Sequence, residues 1–131
     1  MPRPVQRRVS AQVSAAPHFA ECLLSVQAFM VEQDAASAPA RLAQLKRDLR
    51  EMKTLLAWSP AGGRPARFLR PNSAQASLRL AAVQQLAQSA GLPHLREYVT
   101  GSHVVLYAHS DTEVVLLSLK HHRQLTYIPL R

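Results

Sequence analysis

The chain has 131 residues, 47% of them hydrophobic, which suits one domain with a packed core. Its formal charge is +8, and of sixteen basic residues only Lys46, Lys53 and Lys120 are lysines. An arginine-rich surface favours bidentate contact with phosphates or carboxylates, on nucleic acid or on an acidic protein partner. Cys22 is the only cysteine, which excludes an intrachain disulfide, and no apolar run reaches the length of a membrane-spanning helix.

The lone cysteine fits a reducing compartment, and the basic N-terminal residues lack an apolar run of signal-peptide length. A cytoplasmic location is therefore expected. Met1–Pro4 holds two prolines and reads as a frayed arm. Val5–Val13 then alternates: Val5, Val9, Ala11 and Val13 share one parity, with Arg7 the exception, and polar residues occupy the other. That pattern predicts a strand with one buried face.

Pro17 opens a helix in which Phe19, Cys22, Leu23, Val26, Phe29 and Met30 recur at helical spacing. Cys22 lies on that apolar stripe, so a packing role is expected of it. Asp34–Ser37 breaks the pattern. Pro39 starts a second helix whose stripe is Leu42, Leu45, Leu49, Met52 and Leu56, with Arg41, Lys46, Arg47, Asp48, Arg50 and Glu51 on the other faces. The two stripes can face each other in a helical hairpin. Pro60-Ala61-Gly62-Gly63-Arg64-Pro65 ends the second helix. Ala66–Asn72 is a loop carrying Arg67 and Arg70. Ser73–Ala90 reads as a further helix, with Ser73 as its cap and Gly91-Leu92-Pro93 as its stop.

Three candidate strands follow: Leu95–Val99, His103–Ala108 and Val114–Leu119. Thr100-Gly101-Ser102 and His109-Ser110-Asp111-Thr112 supply the turns, so the three run as an antiparallel meander. On the middle strand Val104, Leu106 and Ala108 share one parity and are expected to face the helices, which turns Val105 and Tyr107 to the open side; the alternative for Tyr107 is a satisfied core tyrosine. Lys120, His121, His122, Arg123 and Tyr127 form a polar, titratable cluster at the exit of the last strand.

Histidines concentrate after residue 93, at His94, His103, His109, His121 and His122. They make a poor metal set. His103 and His109 lie six residues apart on one strand, about 20 Å at the usual rise, and neither a cysteine nor a paired carboxylate supports them. No metal and no cofactor is expected.

Pro60, Gly63, Arg64 and Pro65 after a long second helix, then Arg96-Glu97, Gly101-Ser102, Leu106-Tyr107, Asp111 and the exit Leu116-Leu117-Ser118-Leu119-Lys120-His121-His122-Arg123, stand in an order and spacing that resembles the RelE/ParE superfamily of bacterial toxins. The resemblance covers residues 5–65 and 93–127, and the loop and helix at about 66–92 depart from it. It implies one α+β domain over residues 1–131: an N-terminal strand, a helical hairpin, the inserted helix, then the three-stranded meander, all strands in one sheet with the helices on one face.

The resemblance further implies the toxin of a type II toxin–antitoxin pair. In the ParE-like branch such a protein binds DNA gyrase and is neutralised by a cognate antitoxin, with no catalytic residue needed. Arg64, Arg67, Arg70, Arg96, Lys120 and Arg123 are then candidates for contact with target or nucleic acid, and Val105 and Tyr107 for contact with antitoxin. The alternative is a ribosome-dependent mRNA endonuclease, RelE-like. Cleavage through the 2′-hydroxyl needs a base, an acid and positive charge on the phosphate. His121 or His122 would supply the proton transfers, Arg123, Lys120 and Arg64 the charge, and Tyr127 a stacking or proton-donating group. The absence of an arginine in His103–Ala108 weighs against that branch. A third reading is a non-toxic basic binding module of the same fold.

Overall fold

A computed structural model describes residues 10–66, 81–82, 84–85 and 87–121. Residues 5–9 of the first expected strand, the front of the inserted helix, and Arg67, Arg70, His122, Arg123 and Tyr127 lie outside the described residues.

The fold is α+β. Strand β1 (Gln12–Ala15) leads through α1 (Pro17–Gln33) and α2 (Ala38–Trp58) to a 3-10 turn (Pro60–Gly62) and a short β2 (Arg64–Pro65). Described residues between 81 and 89 are helical, and β3 (His94–Thr100), β4 (His103–His109) and β5 (Glu113–His121) follow. The sheet runs β1-β5-β4-β3-β2. Its β3–β4–β5 core is antiparallel, as the two turns require, whereas β1 lies parallel to β5 and β2 antiparallel to β3. The sheet is therefore mixed and five-stranded, not the N-terminal strand plus three-stranded meander that the sequence predicts. The described part of the first strand lies at Gln12–Ala15 instead of ending at Val13.

Local chemistry accounts for the helices. Pro17 sits in the first turn of α1, where its missing N–H costs nothing. Phe19, Cys22 and Met30 are buried on the sheet side, with Leu23 and Val26 packed beside them. Phe29, expected on that stripe, is 51% exposed. In α2, Leu45, Leu49, Met52 and Leu56 recur every three or four residues and form its buried stripe, while the charged residues point to solvent. Each such side chain contributes about 1.5–3 kcal/mol by leaving water. The described end of the inserted helix closes on Gly91, whose φ of 74° is the left-handed conformation a helix stop favours. Gly91 N–H bonds the Gln88 carbonyl and Leu92 N–H the Ala87 carbonyl, and Leu92 is buried beneath that turn.

That burial matters for the sheet, because β4 is covered on both faces. Val105 and Tyr107 pack with α1 and α2 in the main core. Leu106 packs with Ala66, Leu95 and Leu117, and Ala108 with Ala87, Leu92, Leu95, Val115 and Leu117. The expected facing of β4 is thus reversed, and the helices do not all lie on one face: the 87–92 segment covers the side opposite α1 and α2. Val105 and Tyr107 have no exposed surface, so they do not stand on an open side available to a partner.

A β-bulge settles what β5 presents. Leu106 pairs with Ser118 but Tyr107 with Leu116, leaving Leu117 as an extra residue. The shift puts Leu119 into the main core beside Val105, and Lys120 opposite Val104 on the second face. Ser118 Oγ reaches Cys22 Sγ of α1 at 3.6 Å, so the thiol has the packing role expected of it.

Candidate binding site at the β2–β3 edge

Strands β2 and β3 bring Arg64 and Arg96, two of the candidate contact residues, next to each other. Arg64 pairs with Glu97 and Pro65 with Arg96. Alternation then sends Arg64 and Glu97 to the second face and Arg96 to the main-core face.

On the second face Glu97 is 3% exposed, directly opposite Leu106. Its Oε1 lies 3.5 Å from Arg64 Nε. Lys120 stands on the same face, within electrostatic reach. Burial lowers its pKa; Glu97 opposes that shift and Arg64 adds to it. A buried carboxylate between two cations is a compensated arrangement, since an isolated buried charge is expensive. The group retains a net positive charge at the sheet surface.

The other face of the same edge carries a second polar group. Tyr107 Oη donates to the Pro60 carbonyl at 2.7 Å and accepts from Gly63 N–H at 2.8 Å. Burial raises the Tyr107 pKa above 10.0, partly offset by the Gly63 hydrogen bond and by Arg96. Arg96 donates from Nε to His109 Nε2 at 3.0 Å and from Nη1 to the Gly63 carbonyl at 3.3 Å. His94 lies against His109 with ring centroids 4.9 Å apart, and Tyr107 is 5.8 Å from the same ring. Gly63 is required here: a Cβ would sit 2.5 Å from the Glu97 carbonyl oxygen and 2.7 Å from Tyr107 Oη.

Arg64 and Arg96 therefore stand on opposite faces of the β2–β3 edge, and Lys120, near the end of β5, joins Arg64 through Glu97 on the second face without Arg96. His121 follows Lys120 on β5, its ring 5.4 Å from His103 in an edge-on arrangement. Among the described residues no three His, Cys, Asp or Glu side chains converge to hold a metal ion, and none of their helices is long and apolar enough to cross a membrane. The sequence reading missed the Gly63–Tyr107–Arg96–His109 network. Its signals were a Gly-Gly pair before Arg64 and a histidine beginning the β4–β5 turn. No family model matches the chain, and no curated protein matches it.

Proposed function

We propose that the chain is the toxin of a bacterial type II toxin–antitoxin pair, ParE-like, which inhibits DNA gyrase by binding and is neutralised in the cytoplasm by a cognate antitoxin. The observation that carries this reading is the sharing of one sheet by β1 and β3–β5 behind the α1–α2 hairpin, the arrangement that the RelE/ParE resemblance requires. Two further features support binding over catalysis. The described polar groups of the β2–β3 edge are committed to one another, Arg64 to Glu97 and Arg96 to His109, which suits a rigid recognition surface. Of the two imidazoles beside Arg96, His109 is 3% exposed with its Nε2 already accepting from Arg96, which leaves it no access to a substrate, and His94 is exposed at the start of β3. The antitoxin finds its apolar contacts on the exposed Leu24, Phe29 and Val31 of α1 and Leu55 and Trp58 of α2, not on Val105 and Tyr107.

A gyrase supercoiling assay with purified protein tests the reading. Inhibition, or accumulation of cleaved DNA, is expected. Cut mRNA in a translating extract with gyrase unaffected would replace it with the endonuclease, and growth unaffected by expression would leave the non-toxic binding module.

A further inference from the structure

The positive charge of the chain is unevenly placed. Helix α1 carries no lysine or arginine, whereas α2 carries Arg41, Lys46, Arg47, Arg50 and Lys53 against Asp48 and Glu51. The leucine and methionine stripe of α2 is buried, so Lys46, Arg47, Arg50, Lys53, Thr54 and Trp58 stand together on its solvent side, all exposed. We propose that this outer face of α2 binds a single-stranded nucleic acid, with the cations on its phosphates and Trp58 stacked on a base.

A helix face that only meets water is supported by carboxylates three or four positions from its cations. Here the neighbours are like charges: Lys46 and Arg50 are four apart, and Arg50 is three from both Arg47 and Lys53. Among the described residues none of these four cations lies within ion-pair distance of a carboxylate. Arg47 reaches the neutral Gln44 Oε1 at 2.7 Å. Asp48 is turned aside: Gln44 donates to its Oδ1 at 2.8 Å, and its Oδ2 faces Gly101 in the β3–β4 turn. Glu51 is the one carboxylate left on the ridge. Phosphates seated along this row remove the repulsion and release their own counterions.

Trp58 selects the occupant. Its side chain is 52% exposed at the end of the ridge, about 18 Å along the helix axis from Lys46. A flat indole beside a row of cations joins a stacking platform to a phosphate track, the combination that holds single strands. An acidic peptide would neutralise the cations but leave the ring unused, and a duplex keeps its bases stacked on one another. A membrane surface needs an apolar helix face, and that of α2 is buried in the core. DNA and RNA strands present the same phosphates and base faces to this ridge. Trp58 is shared with the apolar contacts proposed for the antitoxin, but the four cations are not, and the inference stands without the toxin reading.

Trp58 is the only tryptophan, so its fluorescence reports on the site. The chain is titrated with short fluorescein-labelled oligo-dT and oligo-U at several salt concentrations. Saturable quenching is expected, with a log–log salt slope of about −3, since each phosphate contacted contributes about −0.7. Lys46→Gln/Arg50→Gln/Lys53→Gln, at exposed positions that leave the core of α2 intact, should weaken binding and reduce the slope to about −1. Trp58→Ala, followed by the anisotropy of the labelled strand, should weaken it about five- to 150-fold. Arg3→Gln/Arg7→Gln/Arg8→Gln removes the same charge outside α2 and should leave both quenching and slope in place. Preference for one oligomer would mark DNA or RNA as the source, and equal binding a site for either; both support the proposal. Equal losses in the two triple variants would show that net charge alone draws the strand, and overturn it. Saturable binding without quenching would overturn it too, as would oligo-glutamate, duplex DNA or phosphatidylserine vesicles binding as tightly as the strands.

Discussion

Arg96 donates its Nε hydrogen to His109 Nε2 across 3.0 Å, so an arginine at the sheet edge is oriented by a neutral imidazole and not by a carboxylate. The tautomer follows from the other nitrogen. Nδ1 lies 2.9 Å from the Ser110 carbonyl and donates to it, which leaves the Nε2 lone pair for Arg96. Burial lowers the His109 pKa most; His94 and Arg96 lower it further, against the Ser110 carbonyl and Asp111. Protonation would place a cation beside a guanidinium and break the bond that orients it.

A pH dependence of stability results. In the unfolded chain His109 titrates near 6.5, and in the native state lower. Between those two values the unfolded state binds more protons, so stability is full above the unfolded pKa and declines as pH falls through it, levelling below the native pKa. Urea midpoints should be lower at pH 5.5 than at pH 7.5. His109→Gln should reduce that difference, because glutamine supplies an acceptor that does not titrate. An equal difference in parent and variant would show that other histidines carry the effect.

Tyr107→Phe isolates the hydroxyl. The ring stays in the core, but the Gly63 N–H and the Pro60 carbonyl each lose the partner they have at 2.8 and 2.7 Å. Leaving buried polar groups unsatisfied costs about 1–3 kcal/mol. A fall of several degrees in Tm is expected, with the far-UV circular dichroism of the native state unchanged. An unchanged Tm would mean that water replaces the hydroxyl at the end of α2.

The reversal at β4 shows where sequence patterning runs out. Helical periodicity identifies both α1 and α2, because each has one wet face and one dry face. Thr100-Gly101-Ser102 and the His109–Thr112 turn identify the meander. In His103-Val104-Val105-Leu106-Tyr107-Ala108-His109 both parities are apolar because both faces are covered, so alternation carries no sign. The bulge at Leu117 then reverses the facing of the last residues of β5, and no turn residue announces it. Strand β2 is two residues long and contains a proline, which places it at the sheet edge and below what pattern detects. Arg64, Arg96 and Lys120 were legible as cations, but the face that each one takes depends on these features.

Gly63→Ala probes the close approach at that edge. The added methyl would meet the Glu97 carbonyl at 2.5 Å and the Tyr107 hydroxyl at 2.7 Å, a backbone group and a side chain held by two hydrogen bonds. Neither yields without loss, and a cost of about 1–3 kcal/mol is expected from overpacking. Gly91→Ala is the control. Nothing lies within 4 Å of its Cβ, so only the φ of 74° opposes it, at about 1–2 kcal/mol. Denaturant unfolding of the two variants separates the effects. Tyr107→Phe combined with Gly63→Ala should cost less than the sum of the single changes, since both act on one contact. Strict additivity would place the strain of Gly63→Ala on the Glu97 carbonyl alone.

Glu97→Gln tests whether the second-face cluster is held by charge. Glu97 is 3% exposed, while the side chain of Arg64 is 37% exposed, so solvent screens the pair from one side. The stability loss should stay near 1–3 kcal/mol, below that of a fully buried ion pair. The more selective readout is Lys120. Burial lowers its pKa, Glu97 raises it, and Arg64 lowers it. Removing the carboxylate charge deletes the one opposing effect and leaves burial and Arg64 to act together, so the Lys120 ammonium should titrate lower still in Glu97→Gln. Carbon-13 shifts at Cε of labelled lysine follow this directly, with Lys46 and Lys53 on the exposed face of α2 as internal references. A Lys120 midpoint that does not move would separate it from Glu97 and leave the carboxylate to its ion pair with Arg64 among the described residues.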